Sequence, residues 1–424
     1  MTNIKVLDAI MGSGKSTRLI DDISNLPLTT KVIVVLPLLT ECHRFAGTMP
    51  AISSDGSCDY SKPEEYSIEF GGILYNPTHK LYDRFFKHPA NNNENGSKLT
   101  GLESLLKNDE NIVTTHALFR TLNKECLDLL KEKNYLLVID EVLTVYEEYT
   151  GFIDKKTNEL PILIGNNTTY IDTDGITLRW STDPRTRLGR YQTEIDMCDR
   201  GALLLIDNTF LILELSKDII QSFKEVWVAT YLFNGSYFKG YLDYHKIPYS
   251  VEKFGNSAKV FKPLITIVSN PKMNEIGEHK TALSRSSQCV SKTHNDKLKK
   301  HLNNFFKQYS TSPDDRLWCC FKEALVNLKG KGYTNNFLSL GTKGTNLYAG
   351  TSVLAYTANI FMNPYIVRFL RTKNITVSEE SFALGEMVQW IYRSQIRNGK
   401  PITVYVPSRR MRELLIDWLN GKYD

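Results

Sequence analysis

A short segment near the start of the chain carries the residue types that bind a polyphosphate. Residues 4–8 form a mostly apolar run that predicts a strand, a turn with Gly12 and Gly14 follows, and Lys15 and Ser16 open a helix. In such a loop, backbone N–H groups and the positive helix N-terminus surround phosphate oxygens, a lysine reaches the β- and γ-phosphates, and a hydroxyl ligates Mg²⁺. The alternative is a glycine-containing turn that binds nothing. The predicted nucleotide-binding residues are Gly12, Ser13, Gly14, Lys15, Ser16 and Thr17, and Ser16 is also a predicted magnesium ligand.

An acidic pair, Asp140 and Glu141, is the second candidate for chemistry. It follows the apolar run at residues 135–139, which predicts a buried strand. At the end of such a strand, opposite a phosphate loop, one carboxylate can hold Mg²⁺ and its neighbour can orient or deprotonate water. We therefore predict that Asp140 is a metal ligand and that Glu141 is catalytic, which favours hydrolysis over transfer to an acceptor. An acidic pair that simply ends a strand is the other interpretation.

The elements around these residues predict an α/β fold with parallel sheets. The β-branched run at residues 31–36 is typical of a strand buried on both faces. Together with the strand at residues 4–8 and a helix at residues 17–23, it makes a βαβ unit whose crossover should be right-handed.

A chain of 424 residues is too long for one ordinary core, so we predict two domains. The first covers residues 1–254 and the second residues 255–424. Turn-forming residues are frequent at about residues 50–100 and 150–200, which we interpret as insertions in the first domain. Further strands are predicted at residues 202–207, 225–231, 263–268, 317–321, 336–340 and 401–406, and a helix at residues 386–397.

The composition indicates an ordinary globular protein with a mildly basic charge. Hydrophobic residues make up 42% and charged residues 23% of the chain, and the net charge of +5 is compatible with a polyanionic partner. Seven cysteines without a Cys-x-x-Cys pair suggest reduced thiols. No leader or membrane-spanning apolar run is present, so we expect a cytoplasmic protein without membrane contact. The lysines at residues 292–307 suggest a solvated helix face, with nucleic-acid contact as the alternative.

Four segments in order resemble the motifs of superfamily 2 helicases of the DEAD/DEAH-like type. Residues 9–17 resemble motif I, with Ala9 in place of its first glycine, and residues 140–143 resemble motif II. Ala229 and Thr230 fit motif III, and residues 389–397 resemble motif VI. The segments at residues 318–333, 341–346 and 401–412 are similar to a subgroup of helicase-like ATPases that bacteriophages encode.

The resemblance implies two RecA-like P-loop NTPase domains with ATP and Mg²⁺ in the cleft between them. It implies that Gln389, Arg393 and Arg397 act on the γ-phosphate from the second domain and that Ala229 and Thr230 couple the cleft to nucleic acid. Which arginine contacts the γ-phosphate stays open, and a basic helix surface is the alternative interpretation of both. The residues that the resemblance assigns to the nucleic-acid track are Thr114, Thr115, Thr342, Lys343, Thr345 and Asn346.

The resulting expectation is an ATP-dependent helicase or translocase that acts on single-stranded or forked nucleic acid, with DNA favoured over RNA. Replication or recombination proteins are the expected protein partners, and the host cytoplasm is the expected location for a phage-encoded chain. A nucleic-acid-clamping or remodelling ATPase without processive unwinding is the first alternative. A P-loop phosphotransferase is the second.

Overall fold

The strands and helices are short, and most follow the apolar runs of the sequence. The computed structural model describes residues 2–50, 65–90, 97–154, 157–187, 189–342 and 347–424. Within them the strands are β1 (Asn3–Ala9), β2 (Val32–Leu36), β3 (Thr48–Pro50), β4 (Ile68–Phe70), β5 (Ile73–Tyr75), β6 (Ile112–Thr115), β7 (Leu136–Asp140), β8 (Tyr146–Glu148), β9 (Ile153–Asp154), β10 (Thr157–Asn158), β11 (Thr169–Ile171), β12 (Leu178–Trp180), β13 (Leu203–Ile206), β14 (Phe210–Glu214), β15 (Glu225–Thr230), β16 (Tyr249–Phe254), β17 (Ile265–Ile267), β18 (Arg316–Cys319), β19 (Val353–Tyr356) and β20 (Ile402–Tyr405). The α-helices are α1 (Lys15–Ser24), α2 (Leu39–Ala46), α3 (Lys98–Lys107), α4 (His116–Phe119), α5 (Lys124–Lys133), α6 (Leu160–Gly165), α7 (Gln192–Asp199), α8 (Lys217–Gln221), α9 (Tyr237–Tyr244), α10 (Pro271–Asn274), α11 (Arg285–Val290), α12 (Lys292–Tyr309), α13 (Leu325–Leu328), α14 (Pro364–Thr372), α15 (Glu379–Ile391) and α16 (Arg409–Leu419).

The first large sheet is parallel and contains both candidate chemical segments. Its strand order is β16-β1-β15-β7-β2-β6, and every neighbouring pair runs parallel. All residues of β2 and β7 are buried, which explains their continuous apolar sequences. The carboxyl ends of β1 and β7 lie at the same edge of the sheet, and only β15 separates the two strands. The phosphate loop and the acidic pair therefore lie at the same edge.

The second large sheet is also parallel, with the order β17-β20-β19-β18. Helices α15 and α16 bury apolar residues against one face, and α12 covers the other with Leu298, Leu302 and Phe305. The predicted α/β fold with parallel sheets is confirmed. Position 254/255 falls between the last strand of the first sheet and the first strand of the second, and the domain division there stays a prediction.

One predicted strand pairs outside the two parallel sheets, and another strand prediction was wrong. The run at residues 202–207 gives β13, which leaves the parallel sheet and pairs antiparallel with β14 in a separate sheet with β8. Asp207 and Asn208 both have positive φ, 49° and 55°, and make the tight turn of a hairpin. The run at residues 336–340 contributes only a single bridge at Phe337, and the strand between β18 and β20 is β19, which the sequence reading missed.

Helix α14 connects the two halves of the molecule. It follows β19 in the chain, yet Ile366, Phe369 and Leu370 are buried in the core of the first sheet. The Phe369 ring packs edge-on against Tyr146 and Tyr244, with ring centroids 6.0 and 5.1 Å apart. The two sheets therefore share an apolar interface, an arrangement that restricts movement between domains.

Replacing Leu370 by alanine tests this anchor. Leu370 is fully buried, so we expect Leu370→Ala to lower the free energy of unfolding by about 2–5 kcal/mol. The matched control on the same helix is Arg368→Ala, which removes an exposed ion pair with Asp207 and should cost less than about 1 kcal/mol. Urea unfolding followed by circular dichroism measures both. Equal losses would mean that α14 is not an anchor.

A stacked pair of histidines, His43 buried and His88 half-buried, joins α2 to the segment after β5. The rings of His43 and His88 stack with centroids 3.9 Å apart, and the Thr48 hydroxyl lies 3.1 Å from His43 Nδ1 and 2.9 Å from His88 Nε2. Burial lowers the pKa of His43 to about 4. Burial and the neighbouring His43 lower the pKa of His88 well below its usual value. Both imidazoles are therefore neutral in the folded protein at pH 7.

The histidine pair predicts acid sensitivity. The pKa of His43 is about 4 in the folded protein and about 6.5 in the unfolded chain, so protonation favours the unfolded chain. The stability that neutral His43 contributes is therefore present above a pH of about 6.5 and is lost as the pH falls towards about 4. We expect stability to fall by on the order of 2 kcal/mol between pH 7 and pH 5 from this group. In the double variant His43→Gln, His88→Gln this dependence should shrink, whereas His279→Gln, at an exposed position, should leave it. An unchanged pH dependence in the double variant would refute the assignment.

None of the helices in the described ranges is long and apolar enough to cross a bilayer. The cysteines described there, at positions 42, 126, 198, 289, 319 and 320, are free thiols, and Cys58 lies outside the described residues.

Candidate active site

The turn between β1 and α1 has the geometry of a phosphate-binding loop. Gly12 and Gly14 have φ of 76° and 84°, a left-handed conformation that glycine adopts without strain. Gly14 caps α1 without a side chain, and a β-carbon built on it would meet no atom within 4 Å, so no side chain occupies the space beside this residue. The Ser13 hydroxyl donates to the Ile10 carbonyl at 2.7 Å and braces the turn.

Lys15 places its charge directly at this loop. The side chain is buried, and Nζ donates to the carbonyl oxygens of Ala9 at 2.8 Å and Ile10 at 3.4 Å. The ammonium group thus folds back on the loop that would surround an anion. Thr17 follows in the first turn of α1 and is exposed on the same cavity.

Ser16 and Asp140 join the loop to the acidic strand. The Ser16 hydroxyl donates to Asp140 Oδ2 at 2.7 Å. Burial, and then the charge of Glu141, raise the pKa of Asp140, while the Ser16 hydrogen bond opposes the shift. A hydroxyl and a carboxylate oxygen are the hard donors that Mg²⁺ prefers, and a cation beside the carboxylate would offset its desolvation. The pair therefore fits a magnesium ion.

Glu141 has an unusual backbone conformation. Its φ is 64°, in the left-handed region that non-glycine residues rarely adopt, and its N–H donates to the Ala229 carbonyl at 2.8 Å. This turn directs the side chain towards the second half of the chain, where Gln389 Nε2 donates to Glu141 Oε2 at 3.5 Å. The contact links the two sheets across the cavity.

The second-half residues reach the cavity, but not from a single helix as predicted. Helix α15 ends at Ile391, the Ser394 hydroxyl donates to the Ile391 carbonyl at 2.7 Å, and a 3₁₀-helix covers Gln395–Asn398. The predicted helix at residues 386–397 is therefore confirmed only as far as Ile391, because Ser394 interrupts it with extended backbone. The cavity, of about 400 Å³, is lined by Met11, Gly12, Gly14, Lys15, Ser16, Thr17, Pro37, Glu41, Arg44, Asp140, Glu141, Gln389, Tyr392, Arg393 and Arg397.

Arg393 lies half-buried in this cavity with part of its hydrogen-bonding capacity unused. Its Nε is buried and makes no hydrogen bond to any residue that the structure describes. Burial lowers the pKa of Arg393, and the carboxylates of Glu41 and then Glu141 oppose that shift. Arg397 lines the same cavity. Both predicted arginines therefore face the phosphate loop, and the choice between them stays a prediction.

Three lining residues were not singled out from the sequence. Glu41 and Arg44 lie on α2, where an acid in the first helical turn looks like ordinary helix stabilisation. Tyr392 presses on the phosphate loop so closely that a β-carbon at Gly12 would lie 1.7 Å from its hydroxyl oxygen. Pro37, which directly follows β2, was the sequence signal that could have placed the start of α2 near the candidate site.

Ala229 and Thr230, which the sequence predicts to couple the cleft to nucleic acid, lie beside the phosphate loop and the acidic pair. Ala229 is the register partner of Asp140, and Thr230 is the partner of Asp8 on β1. Both are buried at the end of β15, between the phosphate-loop strand and the acidic strand. Their proposed coupling role stays a prediction.

The predicted nucleic-acid residues are only partly described. Thr114 and Thr115 end β6 at the same sheet edge as the site, and the Thr115 hydroxyl caps α4 by accepting from the Leu118 N–H at 3.4 Å. The Thr342 hydroxyl donates to the Ser339 carbonyl at 2.8 Å. Lys343, Thr345 and Asn346 lie outside the described residues. A nucleic-acid role for these positions stays a prediction.

The fold and the cavity define an α/β protein with parallel sheets whose second half is Rossmann-like. Residues 259–419 match the family model described as the YonV C-terminal Rossmann-like domain. The chain belongs to the YonV family: it is 33% identical over 445 aligned positions to the SPbeta prophage-derived uncharacterized protein YonV of Bacillus subtilis (strain 168), and the alignment covers 100% of both chains.

Several solved structures show a weak overall likeness. The DUF1998 helicase MrfA, bound to DNA and AMPPNP, is 10% identical with a TM-score of 0.35, and the alignment covers 98% of this chain but 48% of MrfA. This chain thus spans about half the length of MrfA. A hypothetical ATP-dependent RNA helicase from Sulfolobus tokodaii is 9% identical with a TM-score of 0.26, covering 98% of this chain and 90% of that one. These scores are too low to inform function.

Alanine substitutions at Gly12 and Gly14 distinguish backbone strain from a steric clash. Gly14→Ala adds only the cost of left-handed backbone, about 1 kcal/mol, because nothing lies near its β-carbon. Gly12→Ala also drives a methyl group into Tyr392, so we expect a clearly larger loss of unfolding free energy. Urea unfolding of both variants measures the difference, and adding Tyr392→Ala to Gly12→Ala should remove the excess. Equal losses at the two glycines would show that Tyr392 does not rest on the loop.

Proposed function

We propose that this protein is a Mg²⁺-dependent ATP hydrolase of the superfamily 2 type, acting as a nucleic-acid helicase or translocase. One observation carries the proposal: a single cavity joins the phosphate loop and acidic pair of the first sheet to Arg393 and Arg397 of the second-sheet half. Such a composite site needs both halves for hydrolysis, which is how ATP turnover is coupled to domain geometry.

Each side chain has a role that its surroundings support. Lys15 and the N–H groups of residues 14–17 bind the phosphates. Ser16 and Asp140 would hold Mg²⁺, which would supply charge neutralisation. Glu141 accepts a hydrogen bond from the attacking water and takes its proton, with Gln389 holding the carboxylate in place. Arg393 neutralises charge on the departing γ-phosphoryl group.

The proposed partner is single-stranded or forked nucleic acid, with DNA favoured over RNA. A net charge of +5 and the hydroxyl side chain of Thr115 at the end of β6 suit contacts to phosphates that do not depend on sequence. Because the YonV relative is described as prophage-derived, we place the activity in the cytoplasm of a bacterial host, beside phage replication or recombination proteins.

A second candidate is an ATPase that clamps or remodels a nucleic-acid complex without processive unwinding. The observation that favours it is the apolar anchor of α14 in the first-sheet core. Translocation requires the two halves to open and close repeatedly, and a large apolar interface resists such movement. Strand displacement therefore decides between the two activities.

The test is ATP hydrolysis with and without single-stranded DNA, single-stranded RNA and duplex. We expect Lys15→Ala and Glu141→Gln to lower kcat at least about a hundredfold, since each removes a group that acts on the phosphates or water. The matched controls are Lys5→Ala and Glu148→Gln, which alter exposed side chains away from the cavity and should keep the parent rate.

The outcomes separate the candidates. Stimulation by single strands together with strand displacement supports a helicase, and stimulation without displacement supports the clamp. A parent protein without ATP hydrolysis, or variants as fast as the parent, would contradict the proposed function.

A further inference from the structure

Glu41 is an acid at the candidate site that the motifs do not account for. It lies in the first turn of α2, which directly follows β2 and Pro37. Because β2 is the sheet neighbour of β7, the start of α2 stands beside the end of the strand that carries Asp140. The Glu41 side chain is only 21% exposed and lines the cavity together with Arg393.

The charge of Glu41 has little local compensation. Its ion pair with Arg44 is 4.0 Å long, and the Arg44 side chain is 65% exposed, so water screens the attraction. The structure records no hydrogen bond to the Glu41 carboxylate from the described residues. Burial, opposed by Arg44 and Arg393, raises the pKa of this carboxyl. The carboxylate thus remains available to a cation within the cavity.

Arg393 is the cation that matches it. Among the described residues its buried Nε has no hydrogen-bond partner and its guanidinium no ion pair within 4.0 Å, and the carboxylates of Glu41 and then Glu141 oppose the lowering of its pKa by burial. Glu141 already accepts from Gln389 and is the residue assigned to water. Glu41 is therefore the acid left to hold the guanidinium. A planar guanidinium can keep one edge on a carboxylate while another edge turns to a phosphate.

We propose that Glu41 is a positioning residue that holds Arg393 across the cavity and aims its guanidinium at the γ-phosphate. The inference rests on the proposed ATPase function and deepens it. With ATP bound, Arg393 interacts with the γ-phosphate while Glu41 fixes its orientation, so Glu41 contributes to turnover without touching the substrate.

This role predicts a specific kinetic signature. Loss of the Glu41 charge misplaces the arginine, and a small misplacement at a reacting centre costs about ten- to a hundredfold in rate. Binding of ATP should not weaken, because removing a negative charge near an anionic ligand does not oppose binding. We therefore expect Glu41→Gln to lower kcat at least about tenfold, with unchanged or tighter ATP affinity.

The experiment compares Glu41→Gln, Arg393→Ala and the double variant in the full-length protein. Steady-state hydrolysis gives kcat, a fluorescent ATP analogue gives affinity at equilibrium, and a magnesium titration gives the metal requirement. If Glu41 acts through Arg393, the double variant will be no slower than Arg393→Ala alone. Glu41→Asp keeps the charge and should recover part of the rate. Glu148→Gln is the matched control at an exposed acid, and circular dichroism checks folding.

Several results would overturn the inference. A kcat for Glu41→Gln within about twofold of the parent would remove Glu41 from the mechanism, as would rate losses that multiply in the double variant. A raised magnesium requirement with multiplying losses would make Glu41 a metal ligand instead. If Lys15→Ala and Glu141→Gln also leave the rate unchanged, the proposed ATPase function itself is wrong. If those two variants fail to hydrolyse ATP while Glu41→Gln is normal, only the Glu41 inference is wrong.

Discussion

The hydrogen bond between the Ser16 hydroxyl and Asp140, 2.7 Å long, is the contact on which the candidate site depends. It joins the first turn of α1 to the end of β7, two elements that are 124 positions apart in the chain. The bond forms because a parallel sheet brings the carboxyl ends of its strands to one edge. Glu141, one residue further on, is then directed across the cavity by its left-handed backbone, which the N–H to Ala229 bond holds in place. Without this contact the loop and the acids would be two separate features.

The opposite wall of the cavity depends on how firmly the two halves are joined. Helix α14 is buried in the first-sheet core, and the segment after α15 brings Tyr392 against Gly12 and Arg393 towards Glu41. A freely hinged second half would lose this arrangement, whereas an apolar interface maintains it. The same apolar contact resists separation of the two halves, so it bears on their relative movement as well as on stability.

Sequence reasoning worked where a local pattern has one structural solution. The glycine turn before Lys15, the buried runs of β2 and β7 and the parallel α/β fold all follow from such patterns. It failed where a short apolar run gives little signal: residues 336–340 form only a single bridge at Phe337, and β19, a strand of four apolar residues, was overlooked. The helix predicted through Arg397 was six residues too long, because the Ser394 side chain bonds to the Ile391 carbonyl at the helix end.

The sequence by itself determined the chemical groups of the candidate site: a flexible loop that exposes N–H groups, a lysine, a hydroxyl and two carboxylates at a strand end. These depend on residue type and on spacings of a few positions, which local backbone geometry converts directly into structure. Only the tertiary structure decided which other charges join them. Glu41 on α2 and Tyr392 beside Arg393 enter the cavity because strand order and the packing of α14 bring distant segments together. No pattern within a single segment encodes which distant residues come together, because their proximity is set by the sum of packing interactions throughout both sheets.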